Sequence, residues 1–349
     1  MTSLNIAGRQ IGLGHPCFVI AEAGVNHNGS LDLARRLIDA AADAGADAVK
    51  FQTFQAEQLV TADAPKAIYQ QQTTDADESQ FTMLKRLELD APAHHELMAH
   101  TAARGLIFLS TPFDEPSADL LEALDLPAFK IPSGEITNFP LLEHVARKRR
   151  PIILSTGMST LAEVEAAVAA IRGAGDGGLA LLHCVSCYPT APIDANLRAM
   201  QTMTAAFPVP VGFSDHTLGT EVALAAVALG AQIIEKHLTL DRSLPGPDHA
   251  ASLEPAEFKA LLRGIRNVET ALGHGRKEPA LSEANTAAVA RKSLIAARDL
   301  PAGEVLDATA IAIKRPGTGL APARRGELVG RKTRIAVPAG TLFTLEMFA

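Results

Sequence analysis

Eight short apolar runs alternate with longer Ala-rich segments over roughly the first 270 residues, and this alternation limits the fold more than any other feature of the chain. The runs fall at 18–24, 48–54, 106–112, 128–134, 151–157, 179–186, 210–215 and 232–239. Continuous apolar runs of this length read as strands buried on both faces. The segments at 31–44, 161–171, 221–229 and 256–272 carry apolar residues three or four apart, the spacing of a helix with one buried face. An open doubly wound sheet uses the same local pattern, but eight strand-and-helix units match the size of a closed (β/α)8 TIM barrel. The predicted barrel spans residues 1–273.

Apolar residues make up 47% of the chain but aromatic ones only 4%, so Ala, Val, Leu and Ile must fill the core, which suits packed strands and helices. Past His274 the chain turns polar, and residues 274–290 read as a linker. Residues 291–349 alternate strand-like segments with turns at Pro301, Gly303, Pro316, Gly317 and Gly319, which predicts a compact β-rich module. A module of about sixty residues has a marginal core by itself, and docking on its own barrel or a partner's compensates.

A net charge of −7 argues against a general nucleic-acid binder. The N-terminal residues lack the basic flank and apolar run of a signal peptide and no stretch reaches membrane-spanning length, so a cytoplasmic protein is expected. Cys17, Cys184 and Cys187 are too few for a disulfide framework. Cys184 and Cys187 form a CxxC with no second pair to complete a zinc site, and it reads as fortuitous.

In a TIM barrel the C-terminal strand ends converge on the active-site mouth, and here they are polar. In chain order they offer Glu22, Asn26 and His27; Lys50 and Gln52; Ser110 and Thr111; Lys130, Ser133 and Glu135; Ser155 and Thr156; His183, Ser186 and Tyr188; Ser214, Asp215 and His216; and Glu235, Lys236 and His237. Two lysines among many hydroxyls suit an anionic ligand carrying phosphate and carboxylate groups. His216 and His237 end adjacent strands and can share one divalent metal, with Glu22 or Asp248 completing its shell. An isolated histidine is more often a satisfied core residue, but two at neighbouring mouths favour the metal. Lys50 and Lys130 raise a rival, a metal-free aldolase working through a Schiff base. The basic stretch 147–150 reads as a solvated helix end, and His94, His95 and His100 as a polar helical segment rather than ligands.

The barrel motifs, in order, are IAEAGVNHNGS from Ile20, AVKFQTF from Ala48, STPFD from Ser110, FKIPSGE from Phe129, ILSTGM from Ile153, LLHCVSCYPT from Leu181, GFSDHTLG from Gly212, IIEKHLTLD from Ile233 and GPDH from Gly246. Together they resemble the sialic acid synthase family, with its legionaminate and pseudaminate relatives, over nearly the whole chain. The tail, RKSLIAARDLPAGEVL then IKRPGTGL, is similar to the antifreeze-like (SAF) domain of these synthases.

The resemblance implies an enzyme that condenses phosphoenolpyruvate with an N-acylated amino sugar. His216 and His237 would ligate a divalent metal, manganese first and magnesium or cobalt as alternatives. Lys50, Lys130, Ser133, Ser155, Ser186, Ser214 and Tyr188 would hold phosphoenolpyruvate. Gln52, Thr111 and Arg315 would contact the sugar, and Glu22, Glu135 and Asp248 would serve the chemistry. Some members have asparagine where this chain has the shorter Ser186. The resemblance also implies a domain-swapped homodimer in which Arg315 closes the partner's site.

N-acetylmannosamine giving N-acetylneuraminate is the first expectation for the substrate, with a diacetamido trideoxy hexose giving legionaminate as the alternative. A non-catalytic sugar-binding protein is a third reading, which needs few of these reactive groups. Residues 63–80 are expected to form a barrel loop that contributes to substrate choice.

Overall fold

The computed structural model describes residues 3–75 and 77–349, in two compact units, one ending at Gly273 and the other His274–Ala349. The first unit is a closed barrel of eight parallel strands in chain order: Phe18–Gly24, Ala48–Thr53, Ile107–Pro112, Phe129–Ile131, Ile152–Ser155, Leu179–Cys184, Val211–Asp215 and Ile233–His237. The last pairs with the first in the register His237↔Glu22, closing the ring. Every predicted strand is present. The fourth is shorter than its apolar run because Pro132 brings no N–H to the ladder, and a 3-10 turn, Ser133–Glu135, follows.

The predicted helices form as Leu31–Ala44, Leu161–Ala174, Glu221–Ala228 and Pro255–Leu272. Side chains set their starts. Ser30 Oγ accepts from Leu33 N, and Thr160 and Glu163 close a reciprocal capping box.

Period-two alternation sorts each strand's residues between two cores. Val19, Ala21, Val49, Phe51, Ile152, Leu154, Val211, Phe213 and Ile234 point outward and pack with helix residues such as Leu37, Leu97, Val145 and Leu261. Phe18, Ile20, Ala48, Leu109, Ala128, Ile153, Ala180, Leu182 and Ile233 point inward and fill the lower barrel.

Three features were not legible as elements. Leu4–Ile6 and Arg9–Ile11 pair as an antiparallel hairpin whose Leu4, Ile6 and Ile11 join the inward cluster and plug the barrel floor. The stretch 63–80, expected as a barrel loop, contains the short helix Ile68–Thr73, with Ala56–Leu59 before it and Gln80–Lys85 starting at its end; of that stretch, Ala76 lies outside the described residues. The expected linker holds a helix, Ala284–Ala290.

In the second unit Ser293–Ala296 and Ile311–Lys314 pair antiparallel. Isolated bridges such as Ile295↔Leu342 and Leu300↔Val337 extend the arrangement around a core that includes Leu294, Leu306, Leu328 and Phe343. Among the described residues no helix is long and apolar enough to cross a membrane.

Candidate active site

The inward alternation that fills the lower barrel with apolar side chains becomes polar one layer higher. Glu22, Lys50, Thr111, Lys130, Ser155, Cys184, Ser214 and Glu235, one from each strand, line a cavity of about 430 Å³ at the C-terminal mouth. Gln52, Ser133, Glu135, Ser186, Tyr188, His216, His237 and Asp248 line it too. All the barrel residues proposed from the sequence for phosphoenolpyruvate, sugar, metal or acid–base roles therefore border one space. Arg315 belongs to the second unit, directly after the strand Ile311–Lys314.

Other polar residues near the strand ends face away from this cavity. Lys236 is wholly buried on the outer side, 2.7 Å from Asp215 Oδ2 and donating to Thr217 O, so it locks the two residues that flank His216. Ser110 and Thr53 share a hydrogen bond of 2.7 Å, and Thr53 also meets His94 Nε2 at 2.7 Å. His94 is a satisfied core histidine. His183 bonds Ala195 O, and His27 packs on Phe51 with its Nδ1 accepting from Gly29 N at 3.0 Å.

Four charges share the cavity floor. Lys50 Nζ lies 2.7 Å from Glu22 Oε2 and 3.9 Å from Glu235 Oε2, while donating to Thr111 Oγ1 at 2.8 Å. Lys130 Nζ lies 3.3 Å from Glu235 Oε1, which also accepts from Ser214 Oγ at 3.0 Å. Burial opposes ionisation of Glu235, but Lys130 and Lys50 prevail and hold it down at about 2, a permanent carboxylate. Glu22 goes the other way: burial, against the pull of Lys50, raises it. Burial lowers Lys130. Gly24, at a positive φ of 52° where the register shifts between Glu22 and Gly24, turns the backbone away directly after this carboxylate.

A second group surrounds Gly157. Its amide donates to Ser133 Oγ at 2.9 Å, and Ser133 Oγ is 3.0 Å from Cys184 Sγ. A Cβ on Gly157 would meet Ser186 Oγ at 2.4 Å, Ser133 Oγ at 2.8 Å and Cys184 Sγ at 2.9 Å, so three polar side chains close on a point that only glycine leaves open. The nearby Ser155 hydroxyl is buried with no hydrogen-bond partner. Such a cradle of hydroxyls beside Lys130 suits an anion.

The two candidate metal ligands face each other, ring centroids 5.4 Å apart, with Tyr188 4.2 Å from the His216 ring and 5.7 Å from that of His237. Burial brings His216 down to about 4 and His237 well below its ordinary value, so both are neutral and keep a lone pair for a cation. His216 Nδ1 donates to Val185 O at 2.7 Å, which leaves Nε2 as the coordinating atom. His237 Nδ1 is buried without a hydrogen-bond partner, 3.9 Å from Asp248 Oδ2. Among the described residues no set of three or more His, Cys, Asp or Glu side chains is grouped closely enough to hold an ion alone, so much of the shell would fall to substrate and water.

Lys50 and Lys130 are the cations among the described lining residues, and Glu22, Glu135, Glu235 and Asp248 oppose them. Two positive groups against four acidic ones leave no surplus positive charge for an anionic ligand, unless Glu22 and Asp248, the latter raised by burial to about 6, take up protons or a metal enters. Two neutral imidazoles beside a carboxylate are the donor chemistry that a divalent ion takes.

Two members of the inward strand-end ring had no assigned role in the sequence analysis: Glu235, which organises both lysines, and Cys184, which touches Ser133. Their signal was positional. Each lies two residues before a proposed site residue, His237 or Ser186, and so shares its strand face.

The chain is 50% identical over 315 residues to the N,N'-diacetyllegionaminic acid synthase of Campylobacter jejuni, covering 90% of this chain and 94% of that one. It is 47% identical over 334 residues to the enzyme of that name from Legionella pneumophila, covering 95% and 94%. Among solved structures, the N-acetylneuraminic acid synthetase of Leptospira borgpetersenii, in complex with citrate, superposes with a TM-score of 0.72 at 38% identity, covering 82% of this chain and 95% of that one. The SAF domain model matches residues 291–349. The NeuB family model matches residues 37–277, most of the barrel that carries the charged floor and facing histidines, and the chain belongs to the NeuB family.

Proposed function

We propose that the chain condenses phosphoenolpyruvate with the open-chain aldehyde of a diacetamido trideoxy hexose, and with water, to give a legionaminate-type nine-carbon keto acid and inorganic phosphate. The observation that carries the choice of sugar is the 50% identity to a synthase named for the diacetylated product, spanning 90% of the chain. N-acetylmannosamine, the first expectation from sequence, becomes the alternative, because the N-acetylneuraminic acid synthetase stands further off at 38%.

In this reading Lys130, Ser133 and Ser155 bind the phosphate, and Lys50 and Ser214 the carboxylate, of phosphoenolpyruvate. His216 and His237 would hold a divalent metal, manganese first and magnesium or cobalt next, which when bound supplies Lewis acidity for the sugar aldehyde oxygen. Tyr188, against both rings, helps hold phosphoenolpyruvate, and Gln52, Thr111 and Asp248 keep the sugar end in place. The methylene carbon of phosphoenolpyruvate attacks the aldehyde carbon. Water then adds at the former enol carbon, and the C–O bond to phosphate breaks to leave the keto acid. Glu22, raised by burial and paired with Lys50, is placed to exchange the proton this addition requires. Glu135 at the rim accepts from Asn138 Nδ2 at 2.7 Å and is the second acid–base candidate. Arg315 from a partner's tail would complete the sugar site of a domain-swapped dimer.

Phosphate release from phosphoenolpyruvate with manganese tests the proposal, run with the diacetamido hexose, with N-acetylmannosamine and without sugar. Release with the diacetamido sugar is expected. Release with N-acetylmannosamine alone returns the product to N-acetylneuraminate, and a borohydride-trapped lysine adduct would instead establish the Schiff-base aldolase.

A further inference from the structure

Cys184 belongs to the inward polar ring and has no place in the reaction above. Its thiol is buried 3.0 Å from the Ser133 hydroxyl, and the Gly157 amide also faces the sulfur. Burial also raises its pKa, so the sulfur keeps its proton and remains a donor.

A serine hydroxyl has one proton to give and two lone pairs to receive with. On Ser133 one lone pair is taken by the Gly157 amide at 2.9 Å. Two arrangements remain. If Ser133 donates to the Cys184 sulfur, its remaining lone pair faces the cavity and repels an anion. If Cys184 donates to Ser133, both lone pairs are filled and the hydroxyl proton must point into the cavity. The second satisfies the buried S–H and suits a negative ligand beside Lys130, whose ammonium lines the same cavity. Donation into Ser133 also polarises its hydroxyl and strengthens the bond it gives onward.

We infer that Cys184 is a positioning residue: its S–H donates to Ser133 and so fixes Ser133 as a hydrogen-bond donor to the phosphate of phosphoenolpyruvate. The inference rests on the synthase reading for the identity of the anion. Geometry limits what else the thiol can do, because Gly157, Ser133 and Ser186 crowd the same point.

The test combines kinetics with infrared spectroscopy of the full-length protein. Cys184→Ala is expected to raise the KM for phosphoenolpyruvate by roughly threefold to tenfold, the scale of one neutral hydrogen bond, with kcat within about twofold of the parent. Cys184→Ser, which can give the same bond, is expected to restore KM. In the parent, the S–H stretching band that Cys184→Ala removes should move to higher frequency in Ser133→Ala, where the acceptor is gone. An unchanged KM in Cys184→Ala, or no rescue by Cys184→Ser, would overturn the positioning role. An S–H band indifferent to Ser133→Ala would overturn the hydrogen bond itself. If no sugar supports phosphate release, the synthase reading fails separately, and the band still decides whether Cys184 donates to Ser133.

Discussion

Lys50 and Glu22 form an ion pair of 2.7 Å between side chains that are 3% and 2% exposed, so neither charge has water to fall back on. Removing one partner strands the other. Lys50→Met is expected to lower stability by about 3–5 kcal/mol and turnover by at least about a hundredfold. The double variant Lys50→Met with Glu22→Gln should recover much of the stability and none of the activity. Urea unfolding and phosphate release measure the two effects independently.

His27 links acidity to stability. Burial pulls it from 6.5 to about 4, and its Nε2 is buried without a partner while Nδ1 accepts from Gly29. Above pH 6.5 neither folded nor unfolded chain protonates this ring. Between 6.5 and about 4 the unfolded chain takes the proton first, so stability falls as pH falls, by about 3 kcal/mol at most, and the slope ends below 4. His27→Asn, which keeps an acceptor for Gly29 N but cannot titrate, should flatten that slope in denaturant melts from pH 7 to 4. An unaltered slope would place the acid sensitivity elsewhere.

A chelator is expected to abolish phosphate release, and manganese to restore it. His216→Ala and His237→Ala should each weaken manganese binding by at least about tenfold, the loss that outer-shell substitutions alone can bring. Calorimetric titration without substrates reads this directly. Equal affinity in parent and variants would remove the two imidazoles from the metal site.

Gly157→Ala places a methyl group 2.4 Å from Ser186 Oγ and under 3.0 Å from Ser133 and Cys184. Those side chains must give way. The expected outcome is a stability loss of about 1–3 kcal/mol and a KM for phosphoenolpyruvate raised by at least about tenfold, with the KM for the sugar much less affected.

The barrel was legible because its strands are continuous apolar runs and its helices have one apolar face. That same continuity hid which strand-end residues face inward: a run apolar on both faces carries no parity signal. Asp215 and Ser214, or Lys236 and Glu235, are adjacent in sequence and equally polar, yet only the second of each pair reaches the cavity. Once His237 is taken as inward, Glu235 follows and Lys236 is excluded. The hairpin Leu4–Ile6 with Arg9–Ile11 offered too few residues for a periodic signal, and the helices between the second and third strands are only four to six residues long.

The plug formed by Leu4, Ile6 and Ile11 gives the barrel a single doorway. Each reactant of the proposed reaction would come through the mouth, and whatever rests on the floor would have to arrive first. In the proposed reaction this turns binding into a queue. Phosphoenolpyruvate would enter ahead of the sugar, and the phosphate formed deepest in the barrel would wait for the nine-carbon acid to clear the exit.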